Sequence, residues 1–348
     1  MLAGERLLLD LRRMEEAYLE SDVRERELVK HVSLAERFPE QLLRLKDGGA
    51  NPSGGVAELT LDEALFDEDY PGQYLRRIRS VRITMPAVTG PHTSVNATLA
   101  MTQNKIRKST SVGKDYAEVA GTDPRFLYDF AKIQSIATST GIEDPGVFEL
   151  RFDDRRLMPF EGAGAVGSWR LEMEQALNRF DLHSLSDVVL HIEYTARSGA
   201  ALLEQAARAA QAASTEPKAH RLVRLSHEFP NAWEQFQLGD GGGTHTLAFT
   251  LQGRVPFLHL ADSEVAKVSA VSLAAVGEAT GTSPSPSYTL NTVTTAIGSL
   301  VAPVAVAVTG LPLDAETTTW TFVASNVDDI SAFTELYAIF ALEPGSSS

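Results

Sequence analysis

Apolar positions recur along this chain in two rhythms. Over residues 1–47 charge is dense, with nine basic and eleven acidic side chains, and no proline precedes Pro39, so the segment reads as a long helix. Its apolar stripe is thin. Leu7, Leu11, Met14 and Tyr18 step by four, three and four residues, and the pattern resumes at Leu28 and Val32. Such a stripe suits a coiled-coil seam between chains better than a helix lying on a large core, although an amphipathic helix on its own domain has the same spacing. The sequence therefore predicts a coiled-coil-type helix over 1–46. A linker is expected at 47–55, where DGGANPSGG gathers turn formers.

Beyond the linker the period falls to two. Arg79–Met85, Ser94–Met101, Gly146–Phe152, Ser168–Met173 and Asp187–Thr195 alternate apolar with polar residues, as half-buried strands do. Turns such as TGPH and EDPG fall between them at sandwich-like spacing. The run 199–214, GAALLEQAARAAQAAS, interrupts this rhythm with a short Ala-rich helical insert. Arg221–Phe236 reads as a strand followed by a turn or short helix, and GDGGG at 239–243 is a break.

After Gly243 only Arg254 and Lys267 face nine acids, in a stretch rich in Val, Ala, Thr and Ser. Thr246–Leu251, Val268–Val276, Val304–Thr309, Trp320–Ala324 and Glu335–Leu342 are predicted strands. The fold class is mostly β, with antiparallel sandwich-like domains at 56–238 and 244–343 and a disordered tail at 344–348.

Composition narrows the function. The formal net charge is −15, and no stretch gathers the clustered Lys and Arg that phosphate neutralisation needs, which argues against nucleic acid and anionic lipid as partners. The absence of cysteine excludes disulfides, thiolate metal sites and thiol nucleophiles. The opening MLAGERLLLDLRRMEEAYLE has neither the basic flank nor the apolar run of a secretory signal.

Catalytic and cofactor motifs are weak. Gly162, Gly164 and Gly167 satisfy G-x-G-x-x-G formally, but SWRLEM follows as a strand where a dinucleotide site needs a helix. The eight histidines are scattered, with no HExxH, and His191 stands alone inside a strand. Asp67 with Asp69, and Asp153 with Asp154, read as turn carboxylates before they read as a calcium site or an acid–base pair. No cofactor or metal is expected. Arg76, Arg77 and Arg79 form the one basic patch, and balancing neighbouring acids is preferred over steering a partner.

Longer segments carry more. LDLRRMEEAYLE, ELVKHVSLA, LFDEDYPGQYLRRIRSVRITMPAVTGPHTSVNATL, IATSTGIEDPGVFELRF, LMPFEGAGAVGSWRLEM, and LSDVVLHIEYTAR followed by HEFPNAWEQF run in that order from about Leu9 to Phe236. Together they resemble the carboxy-terminal part of the A subunit of bacterial Tc insecticidal toxin complexes. Its most distinctive residues here are Asp69, Tyr70, Pro71, Gly72, Phe160, Glu161, Gly162, Gly164 and Trp169, all read as structural.

The resemblance implies a non-enzymatic docking module that binds the B subunit of a B–C complex and joins it to the translocation channel. It also implies a homopentamer, placement of 1–46 at the end of the channel region, and export as a secreted toxin component without a classical signal peptide. Membrane contact would run only through channel regions this chain lacks, so a fragment or a split subunit is expected. A free-standing β-sandwich that binds carbohydrate or a receptor is the alternative that the β content allows.

Overall fold

The computed structural model describes Leu7 and residues 10–15, 25–49, 54–90, 93–113, 115–119, 123–130, 133–140, 147–150, 160–214, 217, 219–255, 264–277, 279, 285–291, 293–307, 313–314 and 318–346. Over 133–140, 147–150, 264–266, 313–314 and 344–346 the backbone alone is described.

The first unit runs through β1 (Glu25–Ser33), α1 (Leu34–Arg37), α2 (Pro39–Asp47), β2 (Val56–Leu61), α3 (Glu63–Asp67), β3 (Gln73–Pro86), β4 (Ser94–Arg107), β5 (Phe126–Asp129), β6 (Ile133–Thr140), β7 (Val147–Leu150), β8 (Val166–Glu172) and β9 (Val189–Ser198). The Ala-rich helix α4 (Ala201–Ala213) leads out of it. The second unit comprises β10 (Ala219–Arg224), α5 (Leu225–Glu228), α6 (Pro230–Leu238), β11 (Thr244–Thr250), β12 (Glu264–Val276), β13 (Ser287–Leu290), β14 (Val293–Thr295), β15 (Val304–Val306), β16 (Leu313–Asp314), β17 (Thr319–Ser325) and β18 (Glu335–Ser346).

Every ladder among these strands is antiparallel, in four sheets. In the first unit β1-β9-β3-β7 faces β2-β8-β4-β5, with β6 also on β4. In the second, β10-β18-β12-β15, with β16 on β12, faces β11-β17-β13-β14.

Strand alternation builds each core. Leu190, Ile192, Tyr194 and Ala196 of β9 point inward and meet Leu99 and Met101 of β4 and Trp169 and Leu171 of β8 in one cluster. Each such large side chain contributes roughly 1.5–3 kcal/mol on burial. In the second unit Trp320 and Phe322 of β17 pack on Phe340 of β18 and Phe236 of α6.

β18 is buried on both faces. Leu336, Ala338, Phe340 and Leu342 enter the second core, while Tyr337 and Ile339 enter the first. That explains its near-continuous apolar run, which a half-exposed strand would not have. The joint between the units also holds polar groups. Lys46 donates from Nζ to the carbonyls of Leu185 and His183 (3.2 Å) and lies 5.5 Å from the Tyr337 ring centre. Arg224 donates to the His183 carbonyl at 3.0 Å and pairs with Glu335. Burial, reinforced by the Arg224 charge, pushes the Lys46 ammonium down to about 8.

Several expectations are corrected here. The helix predicted over 1–46 gives way at Glu25 to strand β1, and α1 and α2 follow as separate short helices. Leu28 and Val32 step by four, as in a helix, yet they alternate on a strand with buried Lys30 between them. Lys30 reaches Asp69 at 3.0 Å and Glu68 at 3.4 Å, so its stem lines the inner face while its charge is paired.

The two described ends of the predicted linker, 47–49 and 54–55, are bonded into the first unit. Gly55 N–H donates to the Arg44 carbonyl at 2.7 Å, and the Gly48 carbonyl accepts from Gln175 N–H at 3.0 Å. Strand β10 pairs with β18, so the second unit begins before the Gly-rich break at 239–243. Pro344–Ser346 continue β18 against β12, where a disordered tail is predicted.

Candidate docking surface

The two family-signature stretches hold the fold. Asp62 caps α3, accepting from Leu65 N–H at 2.9 Å, and the helix delivers Asp67 into the interior. There Asp67 accepts from Gly72 N–H at 3.1 Å, Arg76 at 2.5 Å and the Tyr116 hydroxyl at 2.5 Å. Arg76 also lies 3.6 Å from Glu63, and Glu63 is gripped from both oxygens by Arg107.

A bulge makes this possible. β3 slips its register between Tyr74 and Arg77, and Leu75 takes a left-handed backbone with φ of 52°. A second slip follows between Ile78 and Ser80, and between the two Arg76 and Ile78 point inward, out of phase with Gln73 before them and with Val81, Ile83 and Met85 after. Burial works against the Arg76 charge, but Asp67 and Glu63 outweigh it and hold the guanidinium above its ordinary range. The Tyr116 hydroxyl is pushed upward by burial and then by Glu63 and Asp67, so it stays a donor.

In the Asp69-Tyr70-Pro71-Gly72 turn, Asp69 pairs with Lys30, Tyr70 remains partly exposed, and Gly72 adopts a φ of 73°. A Cβ on Gly72 would lie 2.5 Å from Glu204 Cα, and the Gly72 carbonyl accepts from Gly199 N–H at 3.0 Å. The turn thus seats α4 on the sandwich.

In the second stretch, Phe160 and Trp169 are buried with ring centres 5.0 Å apart. Gly164 leaves no room for a Cβ against the Lys105 carbonyl, and its N–H donates to Asn104 Oδ1 at 2.9 Å. Glu161 is exposed. The chain then enters β8, not a helix, so Gly164 and Gly167 serve close backbone approach and Gly162 supplies a φ of 80°, rather than binding pyrophosphate.

The predicted seam divides. Leu7, Leu11 and Met14 are exposed and helical, whereas Tyr18 lies outside the described residues. Leu28 and Val32 are buried in the first core and contribute to no intermolecular stripe. Of the three arginines, Arg76 pairs with Asp67 and Arg79 with Glu27, while Arg77 is exposed. The patch is balanced mainly by acids of its own chain.

Among the described residues no three His, Asp or Glu side chains converge as a metal site. His191 faces outward, its Nδ1 2.7 Å from that of His31 and its Nε2 2.9 Å from the Thr84 hydroxyl. Asp67 and Asp69 belong to separate ion pairs, and Asp153 and Asp154 lie outside the described residues. Two clefts of about 850 and 290 Å³ open along the joint of the units. The larger is lined by Asp47 and His183 on one side and by Tyr288, Ile297, Leu300 and Phe333 on the other.

Sequence reasoning passed over the β4–β5 hairpin. Val119, Leu127 and Phe130 stand exposed there, beside the row Phe126, Tyr128 and Phe130. The alternation of those aromatics after the Asp123-Pro124 turn was the available signal.

Residues 1–196 match the family model of the Tc toxin complex TcA C-terminal TcB-binding domain. The toxin subunit YenA2 of Yersinia entomophaga is 36% identical over 220 residues, covering 60% of this chain and 15% of that protein. A solved Yersinia pseudotuberculosis TcaA-TcaB structure aligns at 27% identity and a TM-score of 0.28, over 57% of this chain and 11% of that one. Morganella morganii TcdA4 aligns at 27% identity and a TM-score of 0.30, over 56% and 8%. The chain spans about 15% or less of the length of these relatives. With more than half its residues under the family model, and its signature stretches seated as described, the chain belongs to the TcA family and carries its C-terminal TcB-binding domain.

Proposed function

We propose that this chain is the docking module of a Tc-type toxin A subunit, binding the B subunit of a B–C complex and joining it to the translocation channel. The match of residues 1–196 to a TcB-binding domain carries the reading. The signature residues Asp69, Gly72, Phe160, Gly164 and Trp169 support it, because each is used to fix backbone or core and leaves recognition to the surface. In this reading the role is not catalytic.

The assembly is a pentamer that acts as an exported toxin component and meets a membrane only through channel regions outside this chain. Leu7, Leu11 and Met14, exposed at helical spacing, support a seam between copies over the first residues, confined to the part that precedes β1.

The test is a pull-down of the purified chain against a cognate B–C complex, with mass photometry for stoichiometry. Binding is expected, with one B–C complex per pentameric ring. A folded chain that fails to bind across a range of salt would overturn the reading.

A further inference from the structure

Val119, Leu127 and Phe130 are 63%, 56% and 69% exposed, and all three fall within residues 119–130. On β5, alternation puts Phe126 and Tyr128 on one face and Leu127 on the other, and Phe130, the residue after the strand, stacks its ring on Tyr128. The three rings form a row with centres 6.3 Å apart at each step, and Tyr128 and Phe130 are nearly parallel, at 10°. The row starts in the core, where the Arg107 guanidinium lies 4.5 Å from the Phe126 ring centre, and ends in solvent at Phe130. β5 is also a sheet edge, pairing among the described residues only with β4.

The support beneath this row is heavily braced. Arg125 binds both carboxylate oxygens of Asp123, at 2.6–3.0 Å, and donates to the carbonyls of Val112, Asp115 (2.8 Å) and Ala117 (2.9 Å). Those bonds hold the Asp123 carboxyl well below its ordinary range. Glu118 accepts from the Tyr128 hydroxyl at 2.6 Å and pairs with Lys105 across the hairpin. An ordered support holding apolar side chains in water has already met much of the entropy cost of binding, and clustered aromatic anchors dominate interface energetics.

We propose that the β5 edge, with Phe130 ending the ring row on one side, Leu127 exposed on the other and Val119 held beside it through Asp123, is where this chain receives the B subunit, an inference that rests on the docking reading above. The fitting partner surface presents an aromatic or aliphatic side chain that continues the ring row past Phe130, rimmed by an extended segment able to pair along β5. What favours the B subunit over a second copy is that these residues lie within the part matched to the TcB-binding domain.

The experiment measures binding of the full chain to a cognate B–C complex by biolayer interferometry, comparing Phe130→Ser and the triple variant Val119→Ser, Leu127→Ser, Phe130→Ser with a control pair, Val88→Ser and Leu238→Ser. All five positions are solvent-exposed, and circular dichroism with thermal melting verifies folding. Phe130→Ser is expected to weaken binding about tenfold or more, with loss of measurable binding in the triple variant and no change in the control. If the wild-type chain binds and the triple variant binds within about twofold of it, the face lies elsewhere and only the docking reading survives. If the triple variant keeps B-subunit binding but loses self-association, the cluster is a contact between copies and the inference fails. If the wild-type chain does not bind, the docking reading falls and takes this inference with it.

Discussion

Replacing Lys46 by Met would test the joint between the two units. Its ammonium is buried, donates to two carbonyls, and is pushed from an ordinary 10.5 to about 8. Between those values the unfolded chain holds a proton that the native chain has released, so stability rises with pH across the window. At roughly 1.4 kcal/mol per pH unit the full difference is about 3 kcal/mol, of which about 2 kcal/mol is realised between pH 7 and 9.5. The raised hydroxyls of Tyr116, Tyr194 and Tyr337 act in the opposite sense, but only as pH approaches and passes their ordinary 10. Stopping at about pH 9.5 limits their effect, and taking the difference from the variant removes what remains. Urea unfolding followed by tryptophan fluorescence is the assay. The wild type should gain about 2 kcal/mol on Lys46→Met across that range, whatever the offset at pH 7, where relief of a buried charge opposes two orphaned carbonyls. Parallel pH profiles for the two proteins would refute the argument, since they would mean that the ammonium is solvated in the native state.

Gly72→Ala forces a Cβ to within 2.5 Å of Glu204 Cα at a φ of 73°, and should cost about 2 kcal/mol or more; a loss below about 0.5 kcal/mol in thermal melting would show that α4 is not seated on the turn. Asp67→Asn leaves the buried Arg76 guanidinium with Glu63, 3.6 Å away, as its remaining counter-charge and should cost about 3 kcal/mol by urea unfolding, the low end for a broken buried pair. A cost no greater than that of a surface ion pair, about 1 kcal/mol, would sink that account. Leu28→Asp places a charge in the first core, so circular dichroism should report unfolding. A folded protein of smaller oligomeric size on gel filtration would instead restore the seam reading of that residue.

The long strands were legible because their alternation is clean, as in β9, where each second residue from Leu190 to Ala196 is buried. β1 was not, because Lys30 occupies an inward position and breaks the apolar alternation, leaving Leu28 and Val32 at a helical step. Nothing local announces that a lysine stem will line a core when its counter-charges sit some forty residues on, at Glu68 and Asp69. The ion cluster around Asp67 was hidden for a related reason. Arg76 turns inward because β3 slips twice, between Tyr74 and Arg77 and between Ile78 and Ser80, and each one-residue slip inverts the faces that parity would predict from Val81, Ile83 and Met85. The glycines of the signature stretches could be read as structural, but the exposed edge at β5 could not be read at all. Leu127 and Phe130 look like any apolar residues of a sheet until the sheet order shows β5 at an edge, with no neighbour beyond β4 among the described residues.

That sheet order also links the proposed face to the rest of the molecule. β5 hangs on β4, which pairs with β8 inside a sandwich closed by β9, and the first core continues through Tyr337 and Ile339 into β18. Successive residues of β18 belong to different cores, so pulling the units apart would expose Tyr337, Ile339, Leu222 and Ala274 to water, lift the Tyr337 ring from Lys46 and strip Arg224 from the carbonyl of His183. A joint of that kind is costly to open, because apolar area and buried charge would be uncovered in the same step. The second unit, although it lies beyond the residues matched to the TcB-binding domain, therefore acts as a buttress for it. A load applied at β5 is borne by two packed cores and not by a linker, which suits the docking role proposed above.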